Sequence, residues 1–276
     1  MQGTRGTRWL GSSAESLSAV SSALDAALAD GADGAAIGAG LFTTADVLRE
    51  TPALRRAATD PTVPGQAKAA LARDLFGEHL DPAAIEVVAD AFARRWGAAR
   101  DLADALAHVA VVALVKAADS DGDGDQLEVL FQFSRVLADN PELRDALSDP
   151  GRSVGDKQDL VQTLLEGKAT PCALELCRRA VTTTHLTVAS ALEDFIEIAS
   201  TTRGRLVARV WSARPLSDAH AERMAAGLGR LYGRQVHLNV IVEPEVLGGV
   251  RIEIGDDVID GTVGGRLDDA RRLLVG

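Results

Sequence analysis

From Ser13 onward apolar residues recur at intervals of three and four: Leu17, Val20, Leu24 and Leu28 share a face, with Ser12 or Ser13 placed to cap the start. The pattern predicts a helix closed by the loop Asp30–Gly34. Leu41, Phe42, Ala45 and Leu48 mark a second helical face, and Leu127, Leu130, Phe131, Ser134 and Leu137 a later one. Residues 92–118 carry one long helical pattern. After Thr201-Thr202-Arg203-Gly204 the period shortens. Arg205–Trp211 reads as a strand, and Ala221, Met224, Ala225, Leu228 and Leu231 as an amphipathic helix begun near Ser217-Asp218. Val236, Leu238, Val240 and Val242 alternate with His237, Asn239 and Ile241, and Val250, Ile252 and Ile254 alternate around Arg251 and Glu253. Pro244, which cannot donate to a sheet ladder, and the pair Gly248-Gly249 predict a corner joining these two strands and setting their pairing. Thr262–Val275 predicts a closing helix that buries Val263, Leu267, Ala270 and Leu274.

The helical part repeats itself. A constant offset of 89 sets Leu48 on Leu137, Pro52 on Pro141, Leu54 on Leu143, Arg55 on Arg144 and Asp60-Pro61 on Asp149-Pro150. The register continues without a gap through Lys68 and Lys157, Leu71 and Leu160, Leu75 and Leu164, Pro82 and Pro171, Glu86 and Glu175, and Ala91 and Ala180. Leu106 and Val109 also fall on Leu17 and Val20, so the long pattern ends one copy and begins the next. Prolines at turns and leucines at helical spacing are what a duplicated bundle must keep. The expected organisation is a mobile N-terminus at 1–12, a first helical bundle at 13–102, a second at 103–202 and a C-terminal domain at 203–276. The fold class is mainly α with a C-terminal α+β domain: two tandem helical bundles, then β-α-β-β-α.

The C-terminal stretch carries a family resemblance. Val236, Leu238, Val242-Glu243-Pro244, Val246, Gly248-Gly249-Val250, Ile252 and Gly255, followed by Ile259-Asp260-Gly261 and Arg266-Leu267, form a pattern about forty residues long. It resembles the C-terminal signature of the delta subunit of rotary ATP synthases, whose mitochondrial relative is the oligomycin sensitivity-conferring protein. The resemblance implies a non-catalytic stator component that links the catalytic head to the peripheral stalk and resists torque. It implies that a helical bundle receives the N-terminal helices of alpha subunits, with beta subunits possible neighbours, and that the α+β domain binds a b-type stalk subunit. The implied place is the cytoplasmic face of a bacterial plasma membrane, held there by the complex. The second copy stands where the family's bundle belongs, directly before the α+β domain. The first copy departs from the shorter family pattern, and reads either as a spacer or as a second docking site. A helical-repeat adaptor of another complex is the alternative reading.

Composition and charge narrow the chemistry. The chain of 276 residues is 46% hydrophobic but 4% aromatic, which favours close-packed helices over aromatic-lined pockets. A formal charge of −11 argues against a nucleic-acid partner, which needs concentrated Lys and Arg. The apolar block Val109–Val115, flanked by His108 and Lys116, falls short of the roughly twenty residues of a membrane span, and Arg5, Arg8, Trp9 and Leu10 lead into a polar stretch rather than a secretory signal. Cys172 and Cys177 lie on different helical faces and read as small core residues.

No phosphate-cradling glycine loop followed by Lys-Ser or Lys-Thr occurs, so no nucleotide cofactor is expected. Histidines 79, 108, 185, 220 and 237 have no metal-ligand spacing, and no nucleophile elbow accompanies them. Asp119-x-Asp121-x-Asp123-Gly124 imitates the start of a calcium loop, yet Leu130 stands where the bidentate Glu is required. Asp256, Asp257 and Asp260 read as turn chemistry. No catalytic, cofactor-binding or metal-ligating residue is assigned.

Overall fold

The computed structural model describes residues 9–120, 126–149, 151–182, 187–204, 206–234, 236–246, 248–254 and 257–263. It divides into two compact units, Met1–Ala199 and Ser200–Gly276. In the first unit the helices are α1 (Ser12–Ala29), α2 (Gly34–Glu50), α3 (Pro52–Thr59), α4 (Gly65–Phe76), α5 (Pro82–Ala93), α6 (Ala99–Ser120), α7 (Gln126–Asp139), α8 (Pro141–Ser148), α9 (Val154–Leu165), α10 (Pro171–Ala180) and α11 (Val188–Thr202), the last running past the division.

The offset of 89 governs their boundaries. It carries both ends of α3 and α4 onto α8 and α9, the starts of α5 and α6 onto those of α10 and α11, and the end of α2 onto that of α7. Dihedral angles at the punctuation agree too. Thr51 has φ −117 and ψ 83 against φ −122 and ψ 85 at Asn140. Asp60 Oδ1 accepts the Thr62 N–H, and Asp149 Oδ1 accepts the Gly151 N–H two residues on. Helix α6 closes the first set of six helices and opens the second, and the expected boundary at 102/103 lies inside it. One hydrophobic core, from Val20 to Ala199, takes residues from both copies, with Phe92, Leu102, Leu106, Leu130 and Leu176 fully buried in it. Side chains of that size each stabilise by about 1.5–3 kcal/mol when withdrawn from water.

Small residues let α2 lie against α6. A Cβ on Gly34 would come within 2.9 Å of the Ala117 methyl, and one on Gly38 within 2.9 Å of Leu114 Cγ. Glycine inside a helix costs about 1 kcal/mol against alanine, which close packing offsets. Asp33 caps the same helix, its Oδ1 accepting the N–H groups of Ala35 and Ala36.

The long pattern at 92–118 is not one helix. It breaks between Ala93 and Ala99, where Arg94 is extended at φ −75 and ψ 170. Local bonds beat the helical period there. Trp96 Nε1 donates to the Ala91 carbonyl, Ser13 Oγ accepts the Gly97 N–H, and Asp101 Oδ2 accepts the Ala98 N–H.

The second unit holds β1 (Leu206–Ser212), α12 (Asp218–Tyr232), β2 (Val236–Val242), β3 (Val250–Ile254) and β4 (Asp257–Asp260) in the sheet order β2-β1-β3-β4. Here the strand pairing read from the sequence is corrected. β2 and β3, expected to pair through the corner, are both bonded to β1, in parallel and antiparallel respectively. The cause is the crossover through α12, which brings β2 parallel to β1 and leaves the opposite edge of β1 for the returning chain. A strand at Asp257–Asp260, unforeseen in the alternation, pairs with β3. Ala208, Val210, Val236, Ile252 and Ile254 pack with Leu228 of α12 into a separate small core. Of the closing helix expected at 262–275, only Thr262 and Val263 fall among the described residues.

Candidate partner-binding surfaces

In the first unit a charged cluster joins the two copies. Arg179 of α10 donates from Nη1 to Asp46 of α2 at 2.9 Å and from Nε to Glu175 at 2.9 Å, and its guanidinium lies 5.0 Å from the centre of the Phe42 ring. Arg49 extends the cluster to α6, pairing with Asp46 at 3.4 Å and Asp104 at 3.3 Å. Burial raises the Asp46 carboxyl above the usual aspartate value more than the two guanidinium groups lower it. The ring of Phe42 also meets that of Phe195 on α11, with centroids 6.2 Å apart. Residues from helices 2, 5 and 6 of the repeat therefore meet across the copies.

The copies differ in cover. Helix α4 buries Lys68, Ala69, Ala72 and Phe76, whereas its counterpart α9 buries Val161 and leaves Val154 48% exposed. Exposed apolar residues on this layer are what a helix-in-groove contact would use.

In the second unit α12 covers the sheet face carrying Ala208, Val210, Ile252 and Ile254. Alternation and register put Arg209, Trp211, Asn239, Ile241, Arg251 and Glu253 on the other face. There the Arg251 guanidinium lies 5.5 Å from the Trp211 ring centre and donates to Glu253 at 2.6 Å. Of the signature residues, Val236 and Ile252 are buried, Leu238 and Val250 pack against the core, and Val242 and Ile259 remain 46% and 38% exposed. Gly255, Arg266 and Leu267 lie outside the described residues.

The corner itself is a backbone device. The Glu243 N–H donates to the Ser212 carbonyl at the end of β1, and the Val246 N–H to that of Glu243. Gly248 and Gly249 have φ of +65 and +80. The Gly261 N–H then donates to Val250 and the Val263 N–H to Gly248, tying the corner to the chain that follows β4. Asp260 Oδ1 accepts both the N–H and the hydroxyl of Thr262, bonds that hold its carboxyl below the usual aspartate value. Asp257 accepts from the Tyr232 hydroxyl at 3.1 Å. Both acids serve turns or packing.

Reactive groups are held inert. Burial pushes the Cys177 thiol up to about 12, so the nucleophilic thiolate is withheld, and Cys172 donates to the Leu114 carbonyl. His108 is lowered by burial beneath the Trp9 ring, 6.3 Å away. No group of three His, Cys, Asp or Glu able to hold a metal occurs among the described residues. Asp121, Asp123 and Gly124 of the calcium-like stretch lie outside those residues, and Leu130 at its twelfth position is fully buried. Sequence reading passed over Arg179 and the buried Lys68. The retention of Lys68 and Lys157 at the repeat offset was the signal available for the second.

The family model for the ATP synthase delta (OSCP) subunit matches residues 111–274. Proteins called ATP synthase subunit delta are similar over nearly the whole chain. That of Kineococcus radiotolerans is 44% identical over 264 residues, covering 95% of this chain and 96% of its own. Those of a Nocardioides species and Streptomyces coelicolor are 44% and 40% identical, each covering 96% of this chain and 97% of its own. The first copy thus lies within the length shared with these relatives. A chain in a structure of the Toxoplasma gondii mitochondrial ATP synthase hexamer covers 60% of this chain and 95% of its own at 20% identity, with a TM-score of 0.37, too low to argue from.

Proposed function

This chain belongs to the ATP synthase delta (OSCP) subunit family, and from that membership we infer that it is a non-catalytic stator subunit of a rotary ATP synthase. The observation that carries the reading is the span of the family match, which begins in α6 and runs through the second copy into the C-terminal unit. The helical unit docks the N-terminal helices of alpha subunits, and the C-terminal unit binds a b-type stalk subunit. The partly exposed apolar layer at α9 suits the first contact, and the sheet face opposite α12, with Trp211 and Ile241, suits the second. No helix among the described residues is long and apolar enough to cross a membrane. On the stator reading, the partners in the complex hold the chain at the cytoplasmic face of the plasma membrane. The signature residues from Val236 to Leu267 act as scaffold for the stalk-binding unit rather than as contact residues.

Affinity purification of the tagged chain from native membranes tests the reading. Recovery of alpha, beta and b-type subunits is the expected result. Recovery of a different stable assembly, without head subunits, refutes it. Crosslinking within the purified complex then assigns each contact to α9, to another helix or to the sheet face.

A further inference from the structure

Between the start of α4 and the end of α5 lies a cavity of about 260 Å3, lined by Val63, Pro64, Gly65, Lys68, Ala93 and Arg95 among others. Lys68 is 3% exposed, yet its ammonium makes one bond, to the Arg94 carbonyl at 2.8 Å. An ammonium carries three donors, and two of these are left over. Among the described residues no carboxylate pairs with it. The nearby Asp60 spends its Oδ1 on the N–H and hydroxyl of Thr62. Arg95 stands at the cavity mouth, exposed, and its side chain likewise has no anionic partner among the described residues.

Burying a cation without a counter-charge is costly, and the two copies of the repeat differ at this point. Lys157, the counterpart of Lys68, is only half-buried. Helix α9 brings Ser153 as its cap, accepting the Asp156 N–H, together with the carboxylate of Asp156 in the first turn. Helix α4 starts behind Pro64 with no side-chain cap and no acid in its first turn. With neither a side-chain cap nor an acid at the start of α4, Asp60 is the negative charge left near Lys68.

We propose that this cavity receives the carboxylate of an Asp or Glu on a subunit packed against the first copy, held by Lys68 and Arg95. Two cations and the nearby Asp60 leave one net positive charge, which suits a monoanionic side chain better than a phosphate dianion. The proposal rests on the stator reading for the presence of a packed subunit, and it gives the first copy a docking role.

The test places p-benzoylphenylalanine at Val63, 36% exposed on the rim, in the assembled complex, and maps photo-crosslinks by mass spectrometry. The expected product joins position 63 to a segment of another subunit containing Asp or Glu. Arg95→Glu, a surface change that leaves the core intact, should lower the yield about tenfold or more, the loss expected for one charge-assisted contact. Replacing the mapped partner acid with Arg should restore it. Lys68→Met should act in the same direction, and its far-ultraviolet circular dichroism checks that α5 survives losing its contact at Arg94. A complex that retains head and stalk subunits but gives no inter-subunit crosslink at position 63, or a yield indifferent to Arg95→Glu, overturns the proposal while leaving the stator reading in place. If the unaltered chain fails to co-purify with head subunits, both fall.

Discussion

Replacing Gly249 tests whether the corner organises the C-terminal unit. At φ +80 an L side chain occupies the left-handed region, at a cost of about 1–3 kcal/mol. Space is the larger obstacle. A Cβ would sit 2.3 Å from the Gly261 carbonyl oxygen and 3.1 Å from Thr262 Cα, both backbone atoms that cannot swing aside. To make room, the segment after β4 must move away, which weakens the bonds from the Gly261 N–H to Val250 and from the Val263 N–H to Gly248. At about 0.5–1.5 kcal/mol for each bond, Gly249→Ala should cost about 2–6 kcal/mol in all, and Gly249→Val more. Gly248→Ala is the control. Its φ of +65 carries a similar backbone penalty, but its Cβ meets only the Val263 side chain, at 3.2 Å, so about 1–2 kcal/mol is expected. Urea denaturation of the full chain, read through hydrogen exchange at the amides of β1 and β3, separates this unit from the helical core. In the assembled complex Gly249→Val should weaken attachment to the b-type stalk, leave attachment to the head, and lower ATP synthesis while hydrolysis by the detached head persists. Equal costs for the two alanine variants, or unchanged exchange in Gly249→Val, would refute the argument.

Arg179→Ala should destabilise the helical unit by about 1–3 kcal/mol, since it leaves Asp46 only the longer contact with Arg49, and Asp46→Asn should relieve part of that loss in a double-mutant cycle measured by chemical denaturation. Folded His108 holds its proton less tightly than the unfolded chain does, so stability is complete above the ordinary histidine value of 6.5 and is lost as pH falls through it toward the lowered folded value; His108→Gln should flatten that segment of the stability–pH curve. The purified chain should neither bind ATP at a phosphate-specific site nor hydrolyse it, and turnover that survives removal of head subunits would contradict this.

What the sequence made legible was local or periodic. The offset of 89 could be read because proline and aspartate fix backbone angles over a few residues, and Thr51 and Asn140 adopt nearly the same angles from different side chains. Apolar spacing likewise marked α7, though it missed Phe133, which is buried. The remainder depended on residues far apart in the chain. Alternation gives a strand its two faces but does not name its neighbour, so β2 and β3 looked like partners until β1 took the place between them. The break after Ala93 depends on Ser13, 84 residues before Gly97. Arg179 and Asp46 are 133 residues apart, and an arginine in an amphipathic helix otherwise reads as solvated surface.

The duplication acquires mechanical sense from the way the copies are joined. Two bundles strung on a flexible linker would move independently, and a stator built so would absorb in the linker part of the twist it exists to resist. Within the first unit the joint is instead α6 itself, whose residues Leu102, Leu106, Val109, Ala110, Ala113 and Leu114 are buried in the core common to both copies. A load applied to the first copy reaches α6 through the close contact of Gly34 and Gly38, where no methyl-sized gap is left to compress. Arg179 adds a second path that bypasses the break between α5 and α6 by holding α10 directly to α2. Shearing one copy against the other would therefore separate packed backbone and a charged cluster together rather than bend a loop. Force applied at the Lys68 cavity would enter through α4 and α5 and pass to α6 through the buried residues that these helices share with the common core.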